Sequence, residues 1–118
     1  MAVFSFRQAI VREPLKVESL IRDLEAEARA AGEGCGALAS FVGVVRATHG
    51  GRRVRHLEYE AFEPLAFRAF DRITSEVAEA WPQALVAIHH RVGRLEVGEA
   101  SVVIVAASAH RAEAFSVC

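Results

Sequence analysis

The chain has 118 residues, enough for one domain with a real core and too few for two. Apolar residues make up 53% and charged residues 25%, and the formal net charge of −1 leaves no global field to attract nucleic acid or an anionic membrane. No apolar run is long enough to span a bilayer and no secretory signal pattern opens the chain, so a cytoplasmic protein is expected.

Residues 3–11 alternate apolar and polar side chains and predict a first strand. Pro14 is placed in the first turn of a helix whose apolar stripe is Leu15, Leu20, Ile21, Leu24 and Ala28, and which Gly32 and Gly34 end. Glu18, Arg22, Glu25 and Arg29 form its solvated face. Residues 37–46 predict a second strand, in which Gly43 suggests a bulge or a close approach of another backbone or a ligand. Residues 48–53, Gly-rich and cationic, are expected to be a mobile loop, with residues 54–61 returning as a third strand in one long hairpin.

A second helix is predicted from Glu63-Pro64 to Trp81-Pro82, with Leu65, Ala66, Phe70, Ile73, Val77 and Ala80 at helical spacing. Residues 85–92 and 101–108 read as the fourth and fifth strands, joined through a hairpin connection at 93–98, and a last helix starts at His110. The order β-α-β-β-α-β-β-α predicts an α+β domain with a mostly antiparallel sheet and two helices on one face. Such a sheet can self-associate through an edge or an open face, so a homodimer is expected.

Chemistry concentrates at two places. His110-Arg111 follows the fifth strand at the start of a helix, where unpaired backbone N–H groups favour an anion. Arg46 ends the second strand after Val44 and Val45. If the two strands are neighbours, Arg46 and Arg111 are expected to converge on one phosphate or carboxylate, a task suited to the guanidinium fork. The bland alternative pairs Arg46 and Arg111 with Glu99 or Glu113 and leaves His110 as a helix cap. Thirteen of the fourteen basic residues are arginine, with Lys16 the only lysine, a skew for which genomic composition is the preferred explanation until positions are considered.

The arginines and histidines between Arg46 and His56 could form an RNA patch, but only Tyr59 is suited to stacking nearby, and a solvated loop is preferred. In His89-His90 the side chains alternate, so one histidine faces the core. Cys35 and Cys118 make neither a disulfide framework nor a zinc site, and neither a metal nor a cofactor is expected.

Four blocks together, 37–46 (ALASFVGVVR), 57–62 (LEYEAF), 88–99 (IHHRVGRLEVGE) and 108–115 (SAHRAEAF), resemble the catalytic, large-subunit family of molybdopterin synthases in order and spacing. The resemblance implies an α/β-hammerhead fold and a central homodimer flanked by two small ubiquitin-like sulfur-carrier subunits, a heterotetramer. It further implies sulfur transfer from the carrier's C-terminal Gly-Gly thiocarboxylate to cyclic pyranopterin monophosphate. Val44, Val45, Arg46, His110 and Arg111 match family positions that bind the substrate or line its pocket.

The family's two lysines, its main catalytic candidates, lie past the position of Cys118. Residues 1–118 are therefore expected to be a single catalytic-subunit domain lacking the rest of its C-terminal helix and tail, and inactive without them. The competing expectation is a non-catalytic small-anion or regulatory module on a ferredoxin-like core.

Overall fold

A computed structural model describes residues 8–32, 34–54, 56–59 and 63–118. The elements, in order, are β1 (Gln8–Val11), α1 (Val17–Ala30), β2 (Ala37–Val44), β3 (Thr48–His49), β4 (Arg52–Arg53), β5 (His56–Tyr59), α2 (Glu63–Ala80), β6 (Leu85–Arg91), β7 (Gly93–Glu96), β8 (Ala100–Ser108) and α3 (Arg111–Val117). The α+β class and the mostly antiparallel sheet are as expected. The part of the first expected strand at residues 3–7 lies outside the described residues.

The main sheet has the order β1-β6-β8-β2, with β1 parallel to β6 and the other neighbours antiparallel. Facing residues of an antiparallel pair share a sheet face. Leu85 and Ala87 therefore lie with Ala107 and Val105 on one side, and Val86 and Ile88 with Ala106 and Ile104 on the other. Leu85 through Ile88, Val105, Ala106 and Ala107 are all buried, so the central pair of strands is covered on both faces. This explains why β6 and β8 read as near-continuous apolar runs rather than alternating ones.

Helix α1 contributes Leu20, Leu24 and Ala28 to this core, and Gly32 and Gly34 terminate it with left-handed φ of +114° and +71°. Their amides cap the last carbonyls, Gly32 N–H to Arg29 O and Gly34 N–H to Ala28 O, both at 3.0 Å. Pro14 precedes the helix instead of entering its first turn, because the N-cap is Lys16. In α2 the inward residues are Phe70, Thr74 and Val77, while Leu65 and Ile73 are exposed, which corrects the expected stripe. Thr74 can be buried because its hydroxyl donates to the Asp71 carbonyl one turn back, at 3.1 Å.

Two further expectations change. Residues 48–53 form a short β3–β4 hairpin, since Gly50 and Gly51 both take positive φ (+57° and +78°), the geometry of a tight two-residue turn. Strand β5 does not return along β2 in a long hairpin; it pairs with β7, the stretch read as a bare connection.

Candidate functional site

The β2–β8 ladder carries both groups of expected site residues, one at each end. Its register runs from Ala37 opposite Ser108 to Val44 opposite Ala100, with a shift between Gly43 and Val44. The glycine is required by the packing: a Cβ at Gly43 would lie 2.7 Å from Val102 Cγ1. Ser101 Oγ donates to the Gly43 carbonyl at 3.3 Å across the same irregularity. The expected bulge is present, and it turns the chain so that Val44 is exposed, Val45 is buried and Arg46 emerges exposed.

The exit of β2 is held by a turn of the neighbouring strands. Val45 N–H donates to Glu99 O at 3.0 Å, and Gly98 N–H donates to Val45 O at 2.9 Å. The turn is closed by its own side chain, Glu99 Oε1 accepting Glu96 N–H at 2.7 Å while Glu99 N–H returns to Glu96 O at 3.1 Å. Glu99 Oε2 pairs with Arg91 Nη1 at 2.8 Å, and Arg91 Nε donates to Arg12 O at 3.0 Å. The Glu96 N–H, followed by the Arg91 guanidinium, holds the Glu99 carboxyl below the usual carboxylate range.

At the other end, Gly36 N–H donates to Ser108 O at 3.1 Å, and a Cβ at Gly36 would come within 2.2 Å of Ala109 O. His110 is the N-cap of α3 with extended backbone, and its carbonyl accepts Ala114 N–H at 3.2 Å. Its imidazole makes no cap hydrogen bond, so the side chain is not spent on capping the helix. His110 and Arg111 are both exposed. Beside them the Ser108 hydroxyl is buried with no hydrogen-bond partner among the described residues.

Strand adjacency was expected to bring Arg46 and Arg111 together, and the antiparallel direction does the reverse. Ala100 and Ser108 are eight residues apart along β8, about 26 Å at 3.3 Å per residue, and Arg46 and Arg111 lie beyond opposite ends of that span. Within one chain the two cations cannot hold one small anion. β2 is also an edge strand among the described residues, and Leu38, Phe41, Val42 and Val44 are exposed along it.

The two histidines of β6 point to opposite faces, His89 opposite Val103 and His90 opposite Val102, and both are half-buried. Cys35 packs against the core, and burial, aided by Glu25, raises its thiol pKa. Burial does the same for Cys118, whose Sγ lies 3.9 Å from Ile104 O. Neither thiol is an activated nucleophile. No group of three or more His, Cys, Asp or Glu side chains is placed to hold a metal among the described residues. No helix there is long and apolar enough to cross a membrane.

Residue patterns alone missed Glu99, Gly36 and Ser108 as parts of these two ends. Glu99 entered only as an ordinary ion-pair candidate, and its carboxylate pairs with Arg91. The available signal was Gly98-Glu99 at the mouth of a strand next to the one carrying Arg91.

The profile of the family described as "MoaE protein" matches residues 10–118. The molybdopterin synthase catalytic subunit of Bacillus subtilis is 39% identical over 109 residues, covering 92% of this chain and 66% of that protein. The protein of the same description from Nostoc is 41% identical over 111 residues, covering 93% of this chain and 64% of its own length. The chain thus spans about two thirds of the length of these relatives. The crystal structure of molybdopterin synthase from Staphylococcus aureus superposes with a TM-score of 0.80 at 33% identity, covering 92% of this chain and 74% of that one.

Proposed function

The chain belongs to the MoaE family, and on that premise we propose that residues 1–118 form the single domain of a large, catalytic subunit of molybdopterin synthase, a cytoplasmic sulfurtransferase. The observation that carries this reading is the family match from residue 10 to residue 118, because it runs through both cationic ends of the β2–β8 ladder as well as the core. The substrate class is cyclic pyranopterin monophosphate, and the sulfur donor is the Gly-Gly thiocarboxylate of a small ubiquitin-like carrier subunit.

Both reactants are anions, which suits a site walled by guanidinium groups. Arg46, with Val44 and Val45 shaping the wall beside it, and His110 with Arg111 are assigned to binding them. Hydrogen-bond donors at the acyl carbon would stabilise the oxyanion that forms when water adds there; its collapse breaks the C–S bond, leaving the sulfur on the pterin carbon it has already bonded and the carrier with an ordinary carboxylate. Two such transfers build the dithiolene.

The distance between the ladder ends supports a pocket completed by two copies of the chain. Two-fold pairing of β2 edges runs those strands antiparallel, which sets the Arg46 end of one copy beside the Ala37 end of the other. Since Ala37 faces Ser108, the partner's Ser108 then lies two strand spacings, roughly 10 Å, from the Arg46 end, with the partner's His110 and the partner's Arg111 following just after it. The exposed Leu38, Phe41, Val42 and Val44 would be covered in the same step. With a carrier subunit on each side, the assembly is a heterotetramer.

The test mixes protein expressed from its complete reading frame with thiocarboxylated carrier and cyclic pyranopterin monophosphate. Molybdopterin is the expected product. Phosphate binding without product would favour the small-anion module instead. RNA affinity that falls steeply with salt would favour the arginine-rich hairpin as the working surface.

A further inference from the structure

Arg46 leaves the sheet one residue after Val45, and Val45 is gripped on both its backbone groups by Gly98 and Glu99. That grip is only as firm as the turn supplying it. The turn has a left-handed glycine, Gly98 at φ +91°, and would be loose on backbone bonds alone. It is fastened instead by the Glu99 carboxylate, which spends one oxygen on the Glu96 amide and the other on Arg91. Arg91 is in turn anchored to the Arg12 carbonyl at the end of β1, and its side chain is only 12% exposed. Four separate stretches, the exits of β1, β6 and β2 and the β7–β8 turn, therefore converge on one ion pair.

We propose that Arg91 and Glu99 are positioning residues for Arg46: their half-buried ion pair locks the 96–99 turn, which fixes the Val45 backbone and so the direction in which the Arg46 guanidinium leaves the sheet. The inference rests on the reading of Arg46 as an anion-binding group. A pair that only stabilised the turn would look the same in the structure, but it differs in one measurable sign. Glu99 is a negative charge close to the Arg46 backbone, so removing it raises the local potential and, by electrostatics alone, strengthens anion binding. Loss of positioning weakens it.

The experiment uses the full chain with Glu99→Gln, Arg91→Lys and Arg91→Gln, with inorganic phosphate as the probe, titrated by NMR at a temperature where every variant is folded. Amide hydrogen exchange at Val45 and Gly98 is measured in parallel. The expected result is that Glu99→Gln binds phosphate about tenfold more weakly despite the loss of a negative charge, with faster exchange at Val45 and Gly98 and unchanged exchange in the β6–β8 pair. Arg91→Gln should match it, and Arg91→Lys, which keeps the charge without the two-sided fork, should fall between.

If the wild-type chain binds phosphate and Glu99→Gln binds it equally or more tightly, the positioning role is wrong while the anion site stands. If the wild-type chain binds no phosphate, the reading of Arg46 itself fails and takes the positioning role with it.

Discussion

The two ends of the β2–β8 ladder each present an arginine, and their backbones are fixed by different means. At the Arg46 end the register breaks at Gly43 and Val44, and the emerging chain is held by a turn fastened through charge, Glu99 against Arg91. At the His110–Arg111 end the register is unbroken, and the exit is set by backbone crowding, Gly36 lying too close to Ala109 for any side chain. One end should therefore be sensitive to loss of charge and the other to gain of a methyl group. Both ends depend on an edge strand that the described residues leave uncovered.

The largest effect is expected from breaking the edge that would unite the two ends. Val42→Lys places a charge at the exposed edge of β2 and should convert the proposed dimer to monomer in analytical ultracentrifugation, with circular dichroism unchanged and molybdopterin formation reduced by roughly a hundredfold or more. Retention of a fully active dimer would break the comparison. Next comes Gly36→Ala, whose Cβ would be 2.2 Å from a backbone oxygen. It should cost about 1–3 kcal/mol in urea unfolding and also weaken phosphate binding, because Ala109 and with it His110 must move.

Arg111→Ala should leave the melting temperature nearly unchanged, since the residue is exposed at the start of a short helix, while reducing phosphate affinity about tenfold. Unaltered affinity would remove this end from the site. The smallest effect concerns acid. The Glu99 carboxyl titrates below its unfolded value, so its contribution to stability is present above the ordinary carboxylate range and disappears as pH falls through the lowered folded-state pKa. Glu99→Gln should flatten that part of the stability curve measured by urea unfolding from pH 6 downward; an identical curve would show that the pair does not fasten the turn.

Local patterns made much of this fold legible. The α1 stripe and its glycine stop, the bounds of α2, the apolar runs of β6 and β8 and the irregularity at Gly43 all depend on residues close in the chain. Strand pairing does not. Nothing local told that β5 would choose β7 over β2, and the same blindness to direction made Arg46 and Arg111 look convergent when an antiparallel neighbour sends them apart. Residue type favours Ile73 over Thr74 for the inward stripe, yet Thr74 packs inward because its hydroxyl is satisfied one turn back. The proposed site residues are legible as motifs in the sequence, but the contacts around them are not. Glu99 acts through a turn and through Arg91, and Gly36 through a contact with Ala109.

The central claim, that each pocket takes Arg46 from one copy and His110–Arg111 from another, is tested most directly by subunit mixing. Arg46→Ala and Arg111→Ala proteins, assayed at a substrate concentration where each alone shows little activity, are unfolded together, refolded and assayed with carrier and substrate. A pocket shared between copies leaves one intact site in every mixed dimer, so about a quarter of wild-type activity should return. A pocket built within one chain would leave every site damaged, and no recovery on mixing would contradict the shared pocket.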